Sequence, residues 1–158
     1  MNSSIEGDKI IYKNSVNLGI AVASPTGLIV PNIMRADEMN FIGLARAMND
    51  LSVRTRNKKL QPDEILGGTF TISNYGVFGT IIGTPIISQP QVAILGIGAI
   101  KKRPYVLTDD DGNDSVGIRS VVYLTLSFDH RIIDGAVGGQ FLARMKWLLE
   151  NFDFNKVR

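Results

Sequence analysis

The chain has 158 residues, 44% of them hydrophobic, enough for one buried core and short for two domains of ordinary size. Seventeen Lys and Arg against fifteen Asp and Glu leave a charge of +2, with the basic residues scattered among acidic ones, which argues against a nucleic-acid partner. No cysteine is present, which excludes disulfides, thiolate metal sites and a cysteine nucleophile, and no long apolar run or leader pattern points to a membrane, so the expectation is a soluble, cytoplasmic protein.

From Val16 to Ala23, Val16, Leu18, Ile20 and Val22 alternate with smaller or polar residues, the period of a strand with one apolar face. Pro25-Thr26-Gly27 turns the chain, and Leu28-Ile29-Val30, ended by Pro31, reads as a returning strand near a sheet edge. After Asn40, a reasonable N-cap, Phe41, Leu44, Ala45, Met48 and Leu51 recur at helical spacing. The basic residues Arg54, Arg56, Lys58 and Lys59 then read as a solvated helix end.

Thr69 to Ser73 alternates again, with Phe70 and Ile72 on one face and Thr71 and Ser73 on the other, before a turn at Asn74-Tyr75-Gly76. Gln91 to Ile100 is apolar apart from Gly96 and Gly98, the pattern of a buried central strand that another backbone approaches, and Lys101-Lys102-Arg103-Pro104 closes it. The acidic run Asp109 to Asp114 lacks the glycine and the glutamate of a calcium loop and reads as a hairpin tip. Val122, Leu124, Leu126 and Phe128 mark a strand that runs into Asp129-His130. Beyond Gly135, Val137, Phe141, Met145, Leu148 and Leu149 mark an amphipathic helix of about four turns. The sum is an α+β fold, a mixed sheet with helices on one side.

His130 is the single histidine, and it stands between a strand and a helix in Ser127-Phe128-Asp129-His130-Arg131-Ile132-Ile133-Asp134-Gly135. Arg131 and two carboxylates flank it, so an ion-pair network can fix the loop and hold the imidazole in one orientation, as a general base requires. Asp134 has a simpler role available as the N-cap of the following helix. Ser73, His130 and Asp134 also suggest a serine hydrolase. No G-x-S-x-G elbow exists, however, and the carboxylate follows the histidine by only four residues. Gly96-Ile97-Gly98 lacks the third glycine of a dinucleotide fingerprint, and no G-K-[ST] occurs.

Asp129-His130-Arg131-x-x-Asp134-Gly135 resembles the signature of the dihydrolipoamide acyltransferases, the core components of 2-oxo acid dehydrogenase complexes. Its wider H-x-x-x-D-G form is shared with chloramphenicol acetyltransferase. The resemblance extends over Gly67 to Asn74, Gly76-Val77-Phe78-Gly79, Thr84-Pro85-Ile86-Ile87 and Pro90 to Gly96, and covers about Gly7 to Glu150.

It implies a chloramphenicol-acetyltransferase-like fold in which residues 1–158 form a single, N-terminally truncated catalytic domain. The lipoyl group would be carried on a separate domain, and neither that domain nor the peripheral-subunit-binding domain would belong to this chain. It implies that His130 takes the proton from the thiol of coenzyme A, a co-substrate, and that the thiolate attacks an S-acyl dihydrolipoamide. Ser73 would donate to the oxyanion and Asp134 would order the loop, with no metal involved.

The partners so implied are further copies, as a trimer or an assembly of trimers, with lipoyl domains and the decarboxylase and dihydrolipoamide dehydrogenase components. His130 of one copy would face Ser73 of its neighbour. Ile81, Ile82, Ile86 and Ile87 are either interface or core. Two alternatives stand beside this reading: a free-standing chloramphenicol-type acetyltransferase, and a non-catalytic structural core module, which would be expected to lose the histidine. The sequence leaves the acyl group open among acetyl, succinyl and branched-chain.

Overall fold

The computed structural model describes residues 1–25 and 27–153. In chain order the strands are β1 (Ser3–Glu6), β2 (Lys9–Tyr12), β3 (Leu18–Ile20), β4 (Val22–Ser24), β5 (Gly27–Ile29), β6 (Asn32–Ile33), β7 (Phe70–Asn74), β8 (Ala93–Ile97), β9 (Lys101–Thr108), β10 (Asp114–Val121) and β11 (Leu124–Phe128). Helix α1 (Phe41–Arg56) lies between β6 and β7, and α2 (Gly135–Glu150) follows β11.

Five strands form the central sheet in the order β11-β8-β7-β3-β6. The inner pairs β3–β7 and β7–β8 are parallel and both edges are antiparallel, so the sheet is mixed, as the alternation predicted. The registers Leu18↔Phe70, Ile72↔Leu95 and Leu95↔Leu126 put these side chains on one face. Phe141, Leu142 and Met145 of α2 pack there against Phe70, Val92, Ala93 and Leu95. Leu44, Ala47 and Leu51 of α1 join Ile33 and Ala36 in a second cluster that shares Leu18 with the first, so both helices lie on the same side. Full burial of a side chain such as Leu95 contributes about 2 kcal/mol, and the two clusters together anchor both helices.

The opposite face carries Thr71, Ser73, Ile94, Gly96 and Thr125, and neither α1 nor α2 covers it; the segment from Tyr75 to Gln91 does. Gly98 makes that crossing possible, because a Cβ there would collide with the carbonyl of Ile81. The backbone approach expected of the Gly96-Gly98 run is therefore real.

Several expectations are corrected. The strand read from Val16 to Ala23 is two strands: β3 stays in the sheet, while β4 leaves it at Ala21 to pair with β5 in a separate ribbon. The turn joining them includes Thr26, which lies outside the described residues, as do residues 154–158 of the C-terminal tail. Lys101 to Pro104 does not close the region. It opens β9, half of a two-stranded ribbon with β10 whose exposed surface accommodates charge and proline alike.

In α1 the inward stripe is Leu44, Ala47, Leu51 and Thr55, whereas Phe41 and Met48 are 54% and 46% exposed. In α2 the inward stripe is Gly138, Phe141, Leu142 and Met145, and Val137, Leu148 and Leu149 face outward. Periodicity located both helices and, in Leu44, Leu51, Phe141 and Met145, part of the face each presents to the sheet.

The N-caps are as expected: Asn40 Oδ1 accepts from Gly43 N at 2.8 Å and Asp134 Oδ1 from Val137 N at 2.8 Å. Arg54 is not a solvated helix end. Its guanidinium makes a two-pronged contact with Glu64 at 2.6 Å and bonds Asp50 at 2.8 Å, which ties α1 to the short 3-10 helix Pro62–Ile65. The Arg54 pairing, with the Gln61 backbone N–H, holds the Glu64 carboxyl down at about 2.

Candidate active site

Strand β11 delivers the chain to His130 and α2 takes it away, and each residue between them has an identifiable anchor. Asp129 N donates to the Val92 carbonyl at 2.8 Å, extending the β11–β8 pairing by one bond. The Asp129 carbonyl accepts from Ile132 N and Ile133 N at 3.2 and 3.0 Å, which folds the loop back. Ile133, 3% exposed, then seats in the main core.

The Asp129 carboxylate takes Arg131 Nη2 at 2.7 Å and Arg131 Nε and backbone N at 3.0 Å. These bonds, the side-chain one foremost, hold the Asp129 carboxyl below its usual range. With Asp134 capping α2, the loop is fixed at both ends and His130 stands exposed at its apex.

The ion pair therefore fixes the loop, as the flanking charges suggested, but it does not hold the imidazole directly. Among the described residues no hydrogen bond reaches the His130 ring. Its neighbour is the Phe128 ring, with centroids 5.6 Å apart, and Phe128 in turn rests in the space that Gly138 leaves on α2. Asp134 is directed at the helix terminus.

Ser73 is elsewhere. It pairs across the sheet with Gly96, which pairs with Thr125, and β11 runs from Thr125 away toward His130. At ~3.3 Å per residue, Phe128 at the end of β11 lies about 10 Å further along the strand and His130 two residues beyond it, more than a serine and a histidine side chain can span. The structure brings His130, Asp129, Arg131 and Asp134 together within one chain and leaves Ser73 at the other end of the sheet. Within the described residues the Ser73 hydroxyl has no side-chain hydrogen bond.

Two concavities are lined by neither residue. A groove of about 820 Å³ runs between the β9–β10 ribbon and α2, lined by Tyr105, Leu107, Val121, Leu142 and Leu149, and contains neither His130 nor Ser73. A smaller cavity of about 140 Å³ lies under the loop, between Pro90, Gln91, Asp129 and Arg131. Among the described residues no group of three or more His, Asp or Glu side chains could hold a metal ion, and no helix is long and apolar enough to cross a membrane.

The model of the 2-oxoacid dehydrogenases acyltransferase (catalytic domain) family matches residues 1–155. The dihydrolipoyllysine-residue acetyltransferase component of the pyruvate dehydrogenase complex of Mycobacterium bovis is 48% identical over 98% of this chain. The succinyltransferase component of the 2-oxoglutarate dehydrogenase complex of Rickettsia typhi is 44% identical over 96% of it. The chain spans 28% and 37% of those two proteins.

Among solved structures, dihydrolipoamide acetyltransferase of Azotobacter vinelandii superposes with a TM-score of 0.86 at 38% identity, covering 95% of this chain and 60% of that one. In that protein the role of a serine, a histidine and an asparagine in the catalytic mechanism was investigated, the last two being four positions apart.

Proposed function

The chain belongs to the family of acyltransferase catalytic domains of 2-oxoacid dehydrogenases, and from that membership we propose that it moves an acyl group from S-acyl dihydrolipoamide to coenzyme A. The observation that carries the reading is the loop that presents His130: pinned by Asp129–Arg131 and by the α2 cap, it offers an exposed imidazole on a rigid support.

In the proposed reaction the imidazole accepts the proton of the coenzyme A thiol, which at neutral pH is otherwise largely protonated. The thiolate forms a bond to the thioester carbonyl carbon, and the carbonyl oxygen becomes an oxyanion that the Ser73 hydroxyl stabilises. Collapse expels the dihydrolipoamide thiolate, which takes the proton back from His130. Asp134 stays outside the proton transfer, and its spacing from His130 equals that between the histidine and the asparagine of the Azotobacter protein.

The reading requires two copies at each site, since Ser73 and His130 of one chain cannot meet. We place the site between neighbouring copies of a trimer or an assembly of trimers, in the cytoplasm. Lipoyl domains would enter from outside the chain, and the decarboxylase and dihydrolipoamide dehydrogenase components would be the further partners. Ile86, 91% exposed, and Ile82, 58% exposed, favour the interface reading of the isoleucine stretch over core packing.

Acyl transfer assayed in the assembled protein with acetyl-, succinyl- and branched-chain acyl-coenzyme A and free dihydrolipoamide tests the function and selects the acyl group. Absence of transfer with all three donors would refute the reading.

A further inference from the structure

Ser73, Gly96 and Thr125 occupy one row across β7, β8 and β11, on the face away from the helices. The middle of the row is open because Gly96 has no side chain, and the Tyr75 ring fills it. A Cβ on Gly96 would come within 2.8 Å of both Tyr75 Cε1 and its phenol oxygen. The ring therefore lies over Gly96, the residue that pairs with Ser73 on this face.

The ring is anchored. The Tyr75 phenol oxygen lies 2.8 Å from Thr125 Oγ1 and 3.0 Å from the Gly83 carbonyl oxygen, and Thr125 Oγ1 donates to the same carbonyl at 2.7 Å. Each hydroxyl proton has an acceptor inside this triangle, so neither hydroxyl competes for Ser73. Gly83 lies within the irregular segment that crosses this face. One end of the segment is held by Ala99 N on the Thr80 carbonyl at 2.8 Å, and the other by Thr71 Oγ1 on Gln91 Oε1 at 2.6 Å. The triangle pins its middle.

We propose that Tyr75 is a positioning residue for Ser73, its ring held over Gly96 by Thr125 and the Gly83 carbonyl so that the serine hydroxyl is confined to the open side of the row. The inference rests on the acyl-transfer reading, in which Ser73 donates to the oxyanion. A donor lowers the barrier only if it is already aimed where charge develops, and among the described residues no side-chain hydrogen bond aims the half-buried Ser73 hydroxyl.

Tyr75→Phe keeps the ring and removes both of its bonds, and Thr125→Val removes the bond to Thr125 and the second hydroxyl on the Gly83 carbonyl. In the assembled protein each lowers kcat about fivefold, the loss expected for one modest hydrogen bond, and leaves KM unchanged. In a Ser73→Ala background neither substitution lowers kcat further, because no hydroxyl remains to be aimed. Equal fractional losses in both backgrounds, or full activity of both single variants, would overturn the inference while leaving the role of Ser73 intact. Full activity of Ser73→Ala itself would instead overturn the reading beneath it, and that result is read without either anchor variant. Thr125→Val carries the test if Tyr75→Phe does not fold.

Discussion

His130 and Ser73 sit at opposite ends of the same sheet: Ser73 shares a row with Gly96 and Thr125, and His130 follows two residues after Phe128, which pairs with Ala93. If both act in one site, that site spans two chains. Mixing inactive His130→Ala and Ser73→Ala chains, with subunit exchange verified, should restore a measurable part of the activity, because some neighbouring pairs then contain both residues. No recovery would assign them to separate sites.

His130→Ala should reduce transfer by about 10² to 10⁴-fold, the range for loss of a general base, without loss of the fold. The ring is exposed and stands beside the Phe128 ring, so its removal opens no buried cavity. Circular dichroism and thermal unfolding should match the parent while turnover collapses. Near-normal turnover would remove His130 from the mechanism.

For Ser73→Ala the expected signature is a fall in kcat of about 10² to 10³-fold with KM little changed, as for removal of an oxyanion donor. A change confined to KM would make Ser73 a binding residue.

Asp134 caps α2 through Val137 N, and Asp134→Ala should therefore cost about 1 kcal/mol of stability. Asp134→Asn should keep both the cap and most of the activity, since an amide oxygen accepts the same bond. An Asn variant as inactive as His130→Ala would show that the negative charge itself is used.

The Arg54–Glu64 pair gives a pH signature. The folded chain holds the Glu64 carboxyl at about 2, below its ordinary value of 4.5, so the stability it contributes is complete above 4.5. It is lost as pH falls from 4.5 toward 2. The melting temperature of Glu64→Gln, lower at neutral pH, should converge on that of the parent across this window. Parallel curves would mean that the pair does not contribute.

Alternation placed β7 and β11, a continuous apolar run placed β8, and helical spacing placed α1 and α2, because each is a local pattern that survives whatever the element packs against. The same signals found part of the buried side of α1 and α2, through Leu44, Leu51, Phe141 and Met145, but drew the stripe too wide. Phe41, Met48, Leu148 and Leu149 are apolar and helical in spacing, yet they face outward. Hydrophobicity marks a residue that benefits from burial, and only the arrangement of the sheet decides whether this chain itself supplies the cover.

The sequence by itself determined the chemistry at hand: one histidine, no cysteine, and the Asp129-His130-Arg131 and Asp134-Gly135 motifs that set a strand end against a helix cap. The tertiary structure decided how those groups are used. Asp129 closes on Arg131, Asp134 on the α2 terminus, and Tyr75 on Thr125 fifty residues away. It also separated Ser73 from His130, because β8 lies between their strands and β11 runs antiparallel to it, so the two chain segments carry these side chains in opposite directions along the sheet. No local pattern encodes strand order or direction; those follow from which side chains bury best together over the whole chain.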